Sequence, residues 1–338
     1  MHVHTTQTDI AVIGAGPVGL FAVFACGMLG LRCAVIDALP AIGGQCAALY
    51  PEKPIYDIPG YPRIAAGDLI DHLAVQAAPF KPSYHLGQQA LSLTEADPGW
   101  IVETDKNTRI AARAVLITAG GGAFGPNRPP LEGIESCEGI SVFYMIRRKE
   151  DFRNKRVVIA GGGDSAVDWA LALHEIAARI AVVHRRDKFR ATPDSIRKLH
   201  GLADAGTLDL IVPYQLKGLE GSAGQLTGVH VESLEGGAMT IPADVLLPFY
   251  GLAATPGPLT GWGLGMEGHH ILVDPGTGET NRPGIYAAGD IATYPHKLKL
   301  IMTGFAETQQ AAHAIYRRLH PDTALHAEYS TTKGLPGA

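Results

Sequence analysis

Two glycine-rich turns of one design occur in this 338-residue chain, each where an apolar run gives way to a candidate helix. The first reads Gly14-Ala15-Gly16-Pro17-Val18-Gly19, and the second reads Gly161-Gly162-Gly163-Asp164-Ser165-Ala166. A turn of this kind joins strand to helix in a βαβ unit. One glycine makes the tight turn, one lets backbone amides approach a pyrophosphate, and the last lets helix and strand pack closely. Ala166 meets that last need, which is only for a small residue. The residues that follow differ in charge. Asp37 stands 23 residues after Gly14, whereas His184-Arg185-Arg186 begins 23 residues after Gly161. A carboxylate there accepts hydrogen bonds from a ribose 2′-hydroxyl, and arginines neutralise a 2′-phosphate. The chain therefore reads as holding two different dinucleotides, which points to redox chemistry.

Composition narrows the class. Hydrophobic residues make up 46% and charged residues 18%, a globular balance and not a disordered one. A formal net charge of −5 argues against a nucleic-acid binder, which needs a clustered cationic face. The four cysteines, Cys26, Cys33, Cys46 and Cys137, form no Cys-x-x-Cys pair and no disulfide framework, so a reducing cytoplasm is expected. The 14 histidines show no zinc spacing, and no metal is expected. Between Ile10 and Ile36 only Arg32 is charged, which raises the question of a membrane span. Its glycines and proline fall in turn spacing, so the run parses as strand 9–13, turn 14–19, helix 20–29 and strand 32–36. Neither a membrane span nor a signal peptide is expected.

Each βαβ unit is followed by an apolar strand and a glycine turn, Val115–Gly122 in one case and Asp244–Gly251 in the other. A further strand returns at Gly284–Asp290. The simplest parse is an insertion. Residues 1–118 and 250–338 build one domain, with a tail from about 320, and residues 119–249 build a second. Prolines 126, 129 and 130 mark one crossing, and prolines 256 and 258 mark the other. The period-two stretches 91–117 and 225–241 suggest an antiparallel meander in each half. The expected fold is α/β, with two Rossmann-like, three-layer ββα dinucleotide-binding domains, the second inserted in the first. An amphipathic helix is expected over 304–319, starting near Thr303. Composition alone reads the tail beyond it as frayed.

The run Thr280–Asp290 matches a second flavin signature. It sets Asp290 at a strand end, where it would bond a ribityl chain and the phosphates. With Gly14, Gly16, Pro17, Gly19 and Asp37 it implies FAD in the first domain. A helix starting near Thr303 would turn its positive end toward the flavin pyrimidine. In the second domain Gly161, Gly163, Asp164, Ser165 and Ala166 would hold a pyrophosphate. His184, Arg185 and Arg186, with Arg190 a turn further on, would select NADP(H).

On these residues the chain resembles the flavoprotein pyridine-nucleotide oxidoreductases of thioredoxin-reductase type. Those enzymes carry a redox Cys-x-x-Cys before the second turn. The corresponding stretch here, Phe143–Arg148 ahead of Arg153–Val157, has no cysteine. Without a dithiol there is no thiol–disulfide relay, so thioredoxin reduction is excluded. The chain is more similar to the thioredoxin-reductase-like ferredoxin–NADP reductases. The likeness lies in Gly43–Cys46, Leu49–Lys53, Tyr56–Gly60, Gly161–Ala166, His184–Arg190 and Lys297–Glu307, and it spans nearly the whole chain. The resemblance implies that Gly44 and Gln45 contact FAD and that Tyr50 stacks on its isoalloxazine. It implies that a C-terminal extension brings a second ring onto the other face. Tyr329, in Glu328–Thr332, is the candidate ring, with Thr331 beside it among the FAD contacts. The enzyme would be a homodimer moving electrons between NADPH and two one-electron ferredoxins, with no obligatory acid or base. The alternative is an NADPH-dependent flavoprotein that reduces flavodoxin, a quinone or a small molecule. An acidic ferredoxin calls for a basic docking face. Arg147, Arg148, Lys149, Arg153, Lys155 and Arg156 are candidates, with Lys297 and Lys299.

Overall fold

The opening apolar run folds as strand β1 (Thr5–Ile13), helix α1 (Pro17–Met28) and strand β2 (Cys33–Asp37). Ile10, Ala11 and Val12 are wholly buried, as fits a parallel strand covered on both faces. Pro17 takes the first helical position, where its missing N–H would be unpaired in any case. The helix therefore begins three residues before the expected Leu20. In the computed structural model, residues 5–146, 148–233, 235–255, 257–323 and 334 are described. The chain divides into two units, Met1–Phe124 with Ala254–Ala338, and Gly125–Ala253. The divisions fall a few residues beyond 118 and 250.

In the first unit the chain continues through α2 (Gly44–Ala48), α3 (Ala66–Ala77), β3 (Ser83–Leu86), β4 (Ala90–Ala96), β5 (Gly99–Thr104) and β6 (Arg109–Ile117). The sheet runs β3-β2-β1-β6-β5-β4. Its first three pairings are parallel, and β4-β5-β6 is the antiparallel meander. Alternate residues of β1 enter different cores. Ala11 and Ile13 pack with Trp100 and Val102 of the meander, whereas Ile10 and Val12 pack with Ala22 and Val23 of α1. Three layers result.

The second unit repeats the plan with β7 (Arg156–Ala160), α4 (Asp164–Leu173), β8 (Arg179–Val183), α5 (Pro193–Asp204), β9 (Asp209–Ile211), β10 (Tyr214–Ser222), β11 (Gln225–Ser233), β12 (Ala238–Pro242) and β13 (Val245–Pro248). A parallel sheet β9-β8-β7-β13 lies beside an antiparallel sheet β10-β11-β12. Val157 and Ile159 of β7 face Val167 and Leu173 of α4, whereas Val158 and Ala160 join Val229 and Val231 of β11. The expected α/β class, with two Rossmann-like ββα units, is the fold observed.

The chain returns to the first unit. Strand β14 (Ile285–Ala287) pairs in parallel with Val115–Ile117 of β6. A single 3-10 turn, Gly289–Ile291, leads toward α6 (Ile301–Leu319). That helix starts three residues before the expected Gly304. Leu300, extended and without a capping side chain, precedes it, and Gly304 N–H already donates to Leu300 O. Arg317 and Arg318 occupy its last turn, where cations suit the dipole. All four cysteines are buried and unpaired.

Candidate functional site

The first turn is closed by contacts at two of its glycines and open at the third. Gly14 has φ +113°, and a Cβ there would lie 2.5 Å from Thr118 O. A Cβ on Gly19 would lie 1.9 Å from Gly14 O, so α1 rests directly on the turn. The Thr118 hydroxyl donates to Gly14 O at 2.9 Å. At Gly16 the nearest atom to a Cβ would be Gly44 Cα, 3.9 Å away. Gly43 N–H donates to Ala15 O at 2.8 Å, which holds the Gly43-Gly44-Gln45 loop beside the turn. Helix α1 starts here with no side-chain cap and no acidic residue in its first turn. Its first amides are left for an anion.

Asp37 ends β2 with both carboxylate oxygens engaged. Oδ2 accepts from Ala15 N–H at 2.6 Å and Oδ1 from Leu39 N–H at 2.8 Å. Burial raises its pKa, and the two amides oppose that rise. Each oxygen keeps a lone pair for a ribose hydroxyl. Tyr50 is half-buried in a cluster with Cys46, Ile55, Ile301 and Phe305. The Cys46 thiol donates to its hydroxyl at 3.9 Å. Burial pushes the Tyr50 phenol well above its ordinary range, with the charge of Asp290 adding to the effect. Asp290 itself is exposed, in the turn after β14.

Beneath Asp290 lies an ion pair that the sequence reading did not pick out. Lys297 Nζ and Glu307 Oε1 are 2.5 Å apart, with side chains 5% and 7% exposed. Glu307 Oε2 accepts from Gly289 N–H at 2.7 Å, and Oε1 also accepts from the Tyr294 hydroxyl at 2.7 Å. Lys297 Nζ donates to Gly289 O at 2.8 Å. Burial, then the Glu307 contact, pushes the Tyr294 phenol up to about 12. Lys297 therefore has no free charge to offer a docking partner, against the expectation for it. Lys299 Nζ lies 2.7 Å from His270 Nε2.

In the second unit, a Cβ on Gly161 (φ +150°) would lie 2.5 Å from Phe249 O, and one on Gly163 would meet nothing within 4 Å. A Cβ on Gly162 would fall 2.3 Å from His184 Nε2. The imidazole is thus packed against the turn, with the Phe189 ring 5.3 Å from it. Burial, aided by Arg185, Arg186 and Arg190, lowers its pKa, so it is neutral near pH 7. Those three arginines are exposed, as are Asp164 and Ser165 at the start of α4, whereas Ala166 is buried. Arg190 N–H donates to Gly162 O at 2.6 Å, which fastens the basic segment to the glycine turn.

Both turns fit a dinucleotide pyrophosphate. Gly16 in one turn and Gly163 in the other present the space that a Cβ would fill, and an uncapped helix begins beside each. Tyr329, Thr331 and Arg147 lie outside the described residues. Three others of the proposed basic face already have acidic partners: Arg148 with Asp151, Arg153 with Glu150, and Arg156 with Asp244. Among the described residues no cluster of three metal-ligating side chains occurs, and no helix is long and apolar enough to cross a membrane.

Comparison with known proteins agrees with this geometry. The profile of the pyridine nucleotide-disulphide oxidoreductases matches residues 8–315. The chain is 60% identical to a ferredoxin–NADP reductase of Paramagnetospirillum magneticum, over 98% of each chain. It is 58% identical to one of Rhodospirillum rubrum, over 98% of this chain and 97% of the other. Among solved structures, the thioredoxin reductase of T. acidophilum superposes with a TM-score of 0.76 at 22% identity, covering 93% of this chain and 99% of that one. The Lactococcus lactis thioredoxin reductase gives 0.75 at 22% identity, covering 92% and 98%. These two likenesses speak to the fold.

Proposed function

The chain belongs to the pyridine nucleotide-disulphide oxidoreductase family, and from that premise we propose that it is a ferredoxin–NADP reductase. FAD would reside in the first unit and NADP(H) would visit the second. The observation that carries this reading is the pairing of two like turns with unlike partners. Asp37 is half-buried and pinned by two backbone amides, whereas Arg185, Arg186 and Arg190 stand exposed on a fastened turn. Identity of 58–60% to ferredoxin–NADP reductases over nearly the whole chain supports the same acceptor.

When bound, FAD would supply the chemistry that links two-electron hydride transfer with NADPH to one-electron transfer with ferredoxin. The protein binds and orients. Amides at the start of α1, with the Gly44 and Gln45 backbone, would hold the FAD pyrophosphate. Asp37 would accept from the ribose and Asp290 would bond the ribityl region. Tyr50 would stack on the isoalloxazine, with its phenol held neutral by burial. Tyr329 would cover the other face, with Thr331 nearby. The amides at the start of α6 would favour negative charge on the pyrimidine. In the second unit, Gly163, Asp164 and Ser165 would border the NADP pyrophosphate. The arginines would clasp the 2′-phosphate, and neutral His184 would support the turn from beneath. A homodimer and a cytoplasmic location, suited to four buried thiols, complete the proposal.

The test is NADPH-driven reduction of cytochrome c with and without added ferredoxin. A strong dependence on ferredoxin is expected. Equal rates in both arms would move the acceptor assignment to a flavodoxin, a quinone or a small molecule.

A further inference from the structure

Two charges withdrawn from water destabilise a fold unless their hydrogen-bonding capacity is fully used. Lys297 and Glu307 are withdrawn in this way, and they spend that capacity on one residue of the main chain. Glu307 takes the N–H of Gly289 and Lys297 takes its carbonyl. Tyr294 occupies a further acceptor site on Glu307. Gly289 has φ +76°, a conformation that few other residues adopt. Its surroundings are as tight as its dihedral. A Cβ there would lie 3.2 Å from Val18 Cγ2. A Cβ on Gly304 would lie 2.5 Å from the same methyl and 3.2 Å from Gly289 Cα. Val18 lies in the first turn of α1, Gly304 in the first turn of α6, and Gly289 immediately before Asp290. The three segments assigned above to the pyrophosphate, the pyrimidine and the ribityl region therefore meet around one side chain.

We propose that the Lys297–Glu307 pair is a positioning device that sets the spacing of these three segments, and so the aim of Asp290 and of the α6 N-terminus at the flavin. This rests on the assignment of FAD to the first unit. Stability alone does not call for a pair here. Apolar residues of similar volume commonly replace a buried ion pair without loss, and often with gain. Apolar residues cannot hold the N–H and the carbonyl of one glycine together. Glu307 also reaches two chain segments at once, through Gly289 and Tyr294, and it does so from within α6.

The test compares Glu307→Gln, the double variant Lys297→Met with Glu307→Leu, and Tyr294→Phe. Each is purified, stripped of flavin and titrated with FAD, and the midpoint potential and visible spectrum of the bound flavin are recorded with the apoprotein melting temperature. The double variant is expected to melt near the wild type, yet to bind FAD about tenfold more weakly, a loss of ~1.4 kcal/mol, and with a shifted potential. Glu307→Gln should shift the potential in the same sense and also lower the melting temperature, because it leaves a buried lysine unpaired. A double variant with wild-type FAD affinity and potential would reduce the pair to packing and overturn the proposal. If the double variant does not fold, Tyr294→Phe decides. It keeps the ion pair but removes one of the two hydrogen bonds that Glu307 Oε1 accepts, loosening the hold of the carboxylate on the Gly289 turn, and an unchanged potential and FAD affinity would equally overturn the proposal. Failure of the wild-type apoprotein to bind FAD at all would instead sink the cofactor assignment.

Discussion

The two glycine turns start alike and diverge within a few residues. In each, the first glycine is forced by a carbonyl 2.5 Å from where its Cβ would be, and the glycine two residues on, Gly16 or Gly163, is left open. At the third position the first unit cannot take even a methyl, because Gly14 O is 1.9 Å away, whereas the second unit buries Ala166 there. Beyond the helix, one unit ends in a half-buried carboxylate held by two amides and the other in three exposed arginines. A site built from fixed backbone and a pinned anchor suits a ligand that stays. A rigid turn carrying exposed charges suits one that comes and goes. On the proposed assignment, the same fold would yield a resident site and a visiting site by changing which groups are pinned and which stand exposed.

The sharpest way to break this comparison is at the third position. Gly19→Ala must push α1 off Gly14 O, and such overpacking should cost more than ~3 kcal/mol. The expected outcome is protein purified without flavin, with a melting temperature well below wild type. The reciprocal change, Ala166→Gly, should cost about 1 kcal/mol through helix propensity and leave the KM for NADPH nearly unchanged. Equal effects from the two would show that the turns are packed alike. Next in size is the charged end. Replacing Arg185, Arg186 and Arg190 together by alanine should raise the KM for NADPH by about a hundredfold, while kcat at saturation and the KM for NADH barely move. A parallel rise for NADH would place the arginines on a part of the nucleotide that both cofactors share. Smaller again is Asp37→Asn, which replaces one acceptor by a donor facing a backbone amide. FAD should bind about tenfold more weakly by titration of the apoprotein, with NADPH affinity unchanged.

Much of this was legible in the sequence because it depends on spacing. Each turn, its helix and the residue 23 positions on belong to one βαβ unit, so local pattern reports them. Period-two alternation likewise revealed both meanders. What escaped depends on which of several similar residues turns inward. In Lys297-Leu298-Lys299 the two lysines look equivalent, yet Lys297 is buried and Leu298 is 65% exposed. Only the packing of α6 against the Gly289 turn decides between them, and Glu307 lies far enough along the chain to give no local sign. A glutamate amid the otherwise small or apolar residues of an inward helix face was the available signal. The start of α6 was misplaced for a related reason. Thr303 offers the familiar capping side chain, but the helix begins at Ile301 with no cap at all. His184 read as the first of three cations because it adjoins two arginines, and its burial against Gly162 is a matter of tertiary contact.

The smallest effect separates the two units by pH, through carboxylates whose folded pKa values move in opposite directions. In the apoprotein, burial raises Asp37. Between the ordinary carboxylate value of about 4 and its raised folded value, the native state holds the extra proton, so stability falls as pH climbs through that window. In the second unit, the hydrogen bonds and charge of Arg156 lower Asp244, against a weaker opposing effect of burial. Its contribution is complete above about pH 4 and is lost as pH falls through its depressed folded value. The Asp244 and Arg156 side chains are 38% and 43% exposed, so the effect of the pair should be small and salt-sensitive. Thermal melts of flavin-free protein from acid to neutral pH provide the check. Asp244→Asn should flatten the loss of stability at the acid end and leave the slope above it alone. Asp37→Asn should do the reverse, removing the decline as pH rises. Saturating FAD should mask the Asp37 slope, because its ribose would then share the carboxylate, and should leave the Asp244 slope in place. Identical pH profiles for the two variants would mean that the carboxylates ending β2 and preceding β13 sit in equivalent surroundings, and the contrast between an amide-pinned anchor and a part-exposed ion pair would fall with them.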